Sequence, residues 1–147
     1  MQRNGIYPPP KGVSEIPGLE VSGIVKAIAP GVTGWNIGDK ICALVAGGGY
    51  AEFCLAQHSK YLVTFEGVEE THAATCACSG VTAYSALKKL KHLRPEDYLM
   101  IIGAGGVGLA GIGMAKAVVA AKRVVADIDP AKRAAALAAG ADLVIDN

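Results

Sequence analysis

The chain has 147 residues, is 52% hydrophobic and 18% charged, and carries 14 basic against 13 acidic side chains, a net charge of +1. That is about one average domain, with enough apolar residue to build a core and too little net charge to stay disordered. A near-neutral chain with 5% aromatics has neither the basic footprint nor the stacking surfaces of a nucleic-acid binder.

The first segment, Tyr7-Pro8-Pro9-Pro10, reads as extended chain, because its prolines cannot donate backbone hydrogen bonds. Val21–Ile28 follows as a run rich in branched residues, stopped by Pro30-Gly31. Lys40–Val45, Tyr50–Ala56 and Tyr61–Phe65 read as further short strands, with turn chemistry at Thr33–Asp39 and Gly47-Gly48-Gly49 between them. Short strands at roughly ten-residue spacing predict a small all-β unit such as a barrel or sandwich.

The texture changes near Glu69. Glu69–Ala77 and Val81–Leu90 have helix-forming composition. Tyr98–Ile102 is a continuous apolar run, expected as a strand buried on both faces. Gly106–Ala120 reads as a small-residue helix and Arg123–Ala126 as a second buried strand. Pro130–Ala139 reads as a helix with proline in its first turn and Gly140 as its stop, and Asp142–Ile145 as a third strand. This β-α-β-α-β alternation predicts a parallel sheet with crossover helices. The uncharged stretch Leu99–Ala115 approaches membrane-spanning length, but the glycines at 103, 105, 106 and 108 would break a helix there, so no membrane partner is expected.

One motif carries chemistry. Gly103-Ala104-Gly105-Gly106-Val107-Gly108 is a G-x-G-x-x-G that follows a strand and opens a helix, and Asp127 ends the next strand roughly twenty residues on. Gly103 allows the tight turn, Gly105 lets a pyrophosphate approach the backbone, and Gly108 lets the helix pack against the strand. Free N–H groups of Gly106, Val107 and Gly108 and the positive end of the helix dipole would hold the phosphates. The Asp127 carboxylate can accept from both ribose hydroxyls and would repel a 2′-phosphate, which favours NAD over NADP. The competing reading is a glycine-rich turn in a nucleotide-free α/β protein.

These residues, together with Pro17–Gly23, Ala43–Glu52, Ala73–Leu87 and Val125–Lys132, resemble the medium-chain dehydrogenase/reductase superfamily. The first stretches look like its quinone oxidoreductase branch, the later ones like its alcohol dehydrogenases. The resemblance implies an α/β chain: a GroES-like, β-rich catalytic domain over residues 1–78, lacking its first strands, then the first half of a doubly wound Rossmann sheet over 79–147. It implies an active site in the cleft between the two and hydride transfer between a nicotinamide and a small-molecule carbonyl, quinone or alcohol. It places Thr82 beside the nicotinamide, Lys132 in support of Asp127, and Tyr7 at the substrate; a loop aromatic packed on prolines is an equal reading of Tyr7.

The departures matter as much. Where the zinc enzymes have the ligand histidine of Gly-His-Glu, this chain has Gly18-Leu19-Glu20. Cys78 matches a further ligand position, but one thiol cannot supply the three protein ligands of a catalytic zinc. Cys78 is therefore expected as a small buried residue, and zinc-free chemistry with no metal site as the expectation. His58, His72 and His92 are expected to be solvated. The chain covers less than half of the family's usual length, so it is expected to be a fragment of a longer, homo-oligomeric enzyme or a truncated gene product; alone it would bind NAD weakly without catalysis. Met1–Gly5 leads into prolines rather than an apolar run, which with unpaired cysteine spacing suggests a reduced, cytoplasmic protein. Two alternatives stand beside this reading: a zinc-dependent alcohol dehydrogenase, and a non-catalytic nucleotide-binding module.

Overall fold

The computed structural model describes residues 5, 6, 8–57 and 59–146. The chain divides into two compact units, Met1–Cys78 and Ser79–Asn147.

In the first unit, β1 (Glu20–Ile24), β2 (Lys40–Leu44) and β3 (Leu62–Thr64) form an antiparallel sheet in that order. β2 is central and buried on both faces. Ile41 and Ala43 point into a cluster with Val21, Trp35 and Leu62, and Cys42, on the opposite face by strand alternation, is also buried. Ser22, the cross-strand partner of Cys42, donates its hydroxyl to the Glu70 carbonyl at 2.7 Å. That bond ties helix α1 (Glu70–Thr75) to the sheet. A π-helical turn, Cys76–Gly80, follows α1.

Tyr50–Ala56, expected as a strand, is irregular. Its backbone is diverted at the start: the Gly49 N–H donates to the Gly18 carbonyl at 3.1 Å and the Tyr50 N–H to that of Pro17 at 2.9 Å. Tyr50, Phe53 and Leu55 are all exposed, so the run buries no pleated face. Among the described residues the first unit holds one three-stranded sheet rather than a closed barrel or a two-sheet sandwich.

The second unit opens with α2 (Val81–Lys88) and then alternates β4 (Tyr98–Ile102), α3 (Gly106–Val118), β5 (Lys122–Ala126), α4 (Pro130–Ala138) and β6 (Leu143–Ile145). The strands pair in parallel in the order β4-β5-β6. This is the expected partial Rossmann half. Two apolar clusters hold it: one joins Leu87, Leu99, Ala115 and Val119, the other Ala104, Ile112, Val125 and Ala136.

β4 departs from the expected burial on both faces. Leu99 is buried, but Tyr98, Met100 and Ile102 are 65%, 52% and 75% exposed. Of the described strands in this sheet only β5 lies between two others, and its Val124–Ala126 is buried as a continuous apolar run predicts. A bidentate Arg123–Asp142 pair, 2.9 and 2.8 Å, braces the start of β5 against the approach to β6 and holds the Asp142 carboxyl below its usual range.

α4 shows how local sequence sets its ends. Pro130 sits in the first turn, and the N-cap Asp129 accepts the Ala131 N–H at 2.8 Å. Gly140, at φ +108°, ends it, with the Ala141 N–H returning to the Ala136 carbonyl at 3.0 Å. Asp129→Ala is expected to lower the stability of this unit by about 1 kcal/mol, measured as a shift in the urea midpoint with an unchanged slope.

Candidate functional site

The corner between β4 and α3 is built from backbone. Gly103 has φ +91°, a conformation that costs a side-chain-bearing residue strain, and its N–H donates to the Ala126 carbonyl at 2.8 Å. That bond carries the β4–β5 ladder to the turn. Gly108, in the first turn of α3, presses on the same residue: a β-carbon there would collide with the Gly103 carbonyl oxygen. Close packing of helix on strand thus demands glycine at 108, as the motif predicts.

Gly105 behaves oppositely. A β-carbon built on it meets nothing within 4 Å, and one on Gly106 meets only the Ser79 hydroxyl, at 3.9 Å. The protein itself does not fill the space beside Gly105. Gly105 caps α3 in an extended conformation with no side-chain hydrogen bond, and no acidic residue lies in the first turn. The leading N–H groups of α3 have no intrahelical acceptor. An open cradle with uncapped donors at the positive end of a helix is fit for a pyrophosphate. A concavity of about 540 Å³ runs from this corner along β4 beside α2, lined by apolar side chains including Leu87, Leu99 and Met100.

Asp127 follows β5 directly and is the buried charged residue of the described chain, at 6% exposure. Its Oδ2 accepts the Ala104 N–H at 2.8 Å and its Oδ1 the Asp129 N–H at 2.9 Å. The first bond fastens it to the glycine corner. The Asp129 N–H, then that of Ala104, hold the carboxyl below its ordinary value; burial opposes them, and the charges of Lys132 and Arg133 add to them. Asp127 is therefore an anion with each oxygen oriented by one donor and further acceptor capacity on both.

The structure brings together Gly103, Gly105, Gly106, Val107, Gly108 and Asp127. Lys132 is exposed on the first turn of α4 and acts on Asp127 through its charge. Thr82 is exposed at the start of α2; the side chain near the corner from that region is Ser79. Tyr7 and His58 lie outside the described residues. Cys78 is half-buried rather than buried. His72 and His92 are exposed, and His72 lies 3.3 Å from Glu69. Leu19, 46% exposed, offers no metal donor. Among the described residues no three His, Cys, Asp or Glu side chains converge. The donor set of the described residues does not fit a catalytic zinc, which needs three protein ligands. No helix among the described residues is long and apolar enough to cross a membrane.

Sequence reasoning missed Ser79 and Arg133. Arg133 donates from Nη1 to the Asp127 carbonyl at 2.6 Å and lies 3.0 Å from Asp146. Nothing local in the sequence marks a guanidinium that reaches the end of a neighbouring strand.

Residues 1–130 match the model of the alcohol dehydrogenase GroES-like domain. The chain belongs to the medium-chain dehydrogenase/reductase superfamily. It is 34% identical to quinone oxidoreductase 1 of Escherichia coli K12, over 98% of this chain and 44% of that enzyme. To an NAD-dependent alcohol dehydrogenase of Sulfurisphaera tokodaii it is 43% identical, over 67% of this chain and 28% of the enzyme. Among solved structures, E. coli quinone oxidoreductase complexed with NADPH superimposes with a TM-score of 0.78 at 31% identity, over 97% of this chain and 44% of that one. The chain thus spans less than half the length of these relatives, which are oxidoreductases named for NAD dependence or solved with NADPH.

Proposed function

We propose that this chain is the dinucleotide-holding part of a zinc-independent oxidoreductase. In this reading it binds NAD in preference to NADP and reduces a small carbonyl or quinone substrate. The observation that carries the reading is the pairing of an unfilled cradle at Gly105 with an oriented carboxylate at Asp127, joined through Ala104. When bound, a reduced nicotinamide supplies the hydride. The chain's own residues bind and orient: the α3 N-terminus takes the diphosphate, and Asp127 accepts from the ribose hydroxyls. Thr82 is assigned to the nicotinamide and Tyr7 to the substrate on the family pattern alone. The preference for NAD rests on charge, since a 2′-phosphate would be brought against the Asp127 anion.

Calorimetric titration with NADH, NADPH and ADP-ribose tests this. Saturable NADH binding, displaced by ADP-ribose and at least about tenfold tighter than NADPH, is the expected result, equivalent to roughly 1.4 kcal/mol. Equal or tighter NADPH binding would reverse the cofactor preference, and no binding of any of the three would remove the dinucleotide reading. Stoichiometric zinc, with activity lost to chelators, would replace zinc-free chemistry by the alcohol dehydrogenase alternative. Saturable binding without turnover of any quinone or aldehyde by the full-length protein would favour a non-catalytic module.

A further inference from the structure

Where β5 stops, one backbone group is left to satisfy. The Asp127 N–H still reaches across to the Ile145 carbonyl at 3.2 Å, but β6 ends there, and the Asp127 carbonyl has passed the last rung. Arg133 meets it. Its Nη1 donates to that carbonyl at 2.6 Å and sits 3.0 Å from Asp146 Oδ1, and the side chain is 20% exposed. One guanidinium therefore joins α4, the end of β5 and the residue after β6. Both contacts are made by Nη1, whose two N–H bonds leave the planar guanidinium in fixed directions, a pre-organisation that a rotating ammonium lacks.

The consequence falls on the carboxylate. Both Asp127 oxygens are aimed by backbone N–H groups, one at Ala104 and one at Asp129. The second of these lies two residues along the segment whose first carbonyl Arg133 holds. Rotation of the 127–128 peptide would move Asp129 and release that oxygen. We propose that Arg133, held in place by Asp146, is a positioning residue that fixes the Asp127 carboxylate for a ribose diol. The proposal rests on reading the Gly103–Gly108 corner as a dinucleotide site. The ion pair with Asp146 would also compete with a 2′-phosphate for this guanidinium.

The test is calorimetry on the full chain with ADP-ribose and its 2′-deoxy analogue. Wild type is expected to prefer ADP-ribose by about tenfold, one well-oriented hydrogen bond to a charged group. Arg133→Met should weaken ADP-ribose about tenfold and bring the two ligands level, with Arg133→Lys restoring part of the preference. Asp146→Asn should lower the same preference and raise affinity for 2′-phospho-ADP-ribose. Equal weakening of both ligands in Arg133→Met, with the preference intact, would overturn the positioning role. If Arg133→Met does not fold, an unchanged preference in Asp146→Asn overturns it. Wild type that binds neither ligand overturns the underlying dinucleotide reading instead.

Discussion

Gly108→Ala is expected to destabilise the second unit by about 3 kcal/mol, while Gly113→Ala, further along the same helix, stabilises it by about 0.5–1 kcal/mol. Alanine is the better helix former at both positions, so propensity alone predicts the same sign twice. Packing separates them. A β-carbon at Gly113 meets nothing within 4 Å, whereas one at Gly108 is driven into the Gly103 carbonyl oxygen. That carbonyl cannot retreat cheaply. Gly103 is held at φ +91° and its N–H is bonded to Ala126. The helix would have to lift from β4, opening the cluster around Ala104, Ile112 and Val125. For a unit of this size the loss corresponds to a fall in melting temperature on the order of 15 °C. Thermal and urea unfolding of the two variants, side by side, check the opposite signs. A neutral Gly108→Ala would mean that the helix does not rest on the turn.

Asp127→Asn is expected to weaken ADP-ribose binding about a hundredfold, the loss of two hydrogen bonds to a charged acceptor, and to lower stability as well. An amide presents one oxygen and one NH2 group where two N–H donors converge from Ala104 and Asp129. One of those donors is left facing another donor in a buried place. The pH dependence follows from the sign of the shift. The Asp127 carboxyl is held below the ordinary value of 3.8, so the unfolded chain takes up protons first as pH falls. Its contribution is complete above about pH 4 to 5 and is lost as pH drops through the lower folded value. Asp142, lowered by Arg123, adds a limb of the same sign. The urea midpoint of wild type should therefore fall on acidification, and that of Asp127→Asn should fall less. Equal acid slopes in the two proteins would show that the Asp127 charge is not coupled to folding.

Much of the second unit is legible in the sequence because its signals are local. Pro130 and Gly140 bracket α4, and Gly103, Gly105 and Gly108 sit at motif spacing with Asp127 after the next strand. Each follows from chain chemistry within a few residues. The misreadings involve contacts that local pattern does not encode. Tyr50–Ala56 has the apolar content of a strand, but loop-to-loop bonds from Gly49 and Tyr50 to Gly18 and Pro17 take the backbone elsewhere. Tyr98–Ile102 is apolar throughout, yet among the described residues the face of β4 that carries Tyr98, Met100 and Ile102 is left uncovered, which composition does not reveal. Arg133 and Asp146 look like ordinary surface charges until α4 and β6 are in place. Family pattern supplied Thr82 and Lys132, and the structure puts both on the exposed first turns of their helices.

In both sheets each strand lies against the one that follows it in the chain: β1 with β2, β2 with β3, β4 with β5, β5 with β6. Among the described residues every pairing joins strands that are consecutive in the chain. During synthesis from the amino terminus, each newly emerged segment finds its neighbour already present, and short sequence separation keeps the entropy of closing each loop small. The order of translation is then also an order in which these pairings can form.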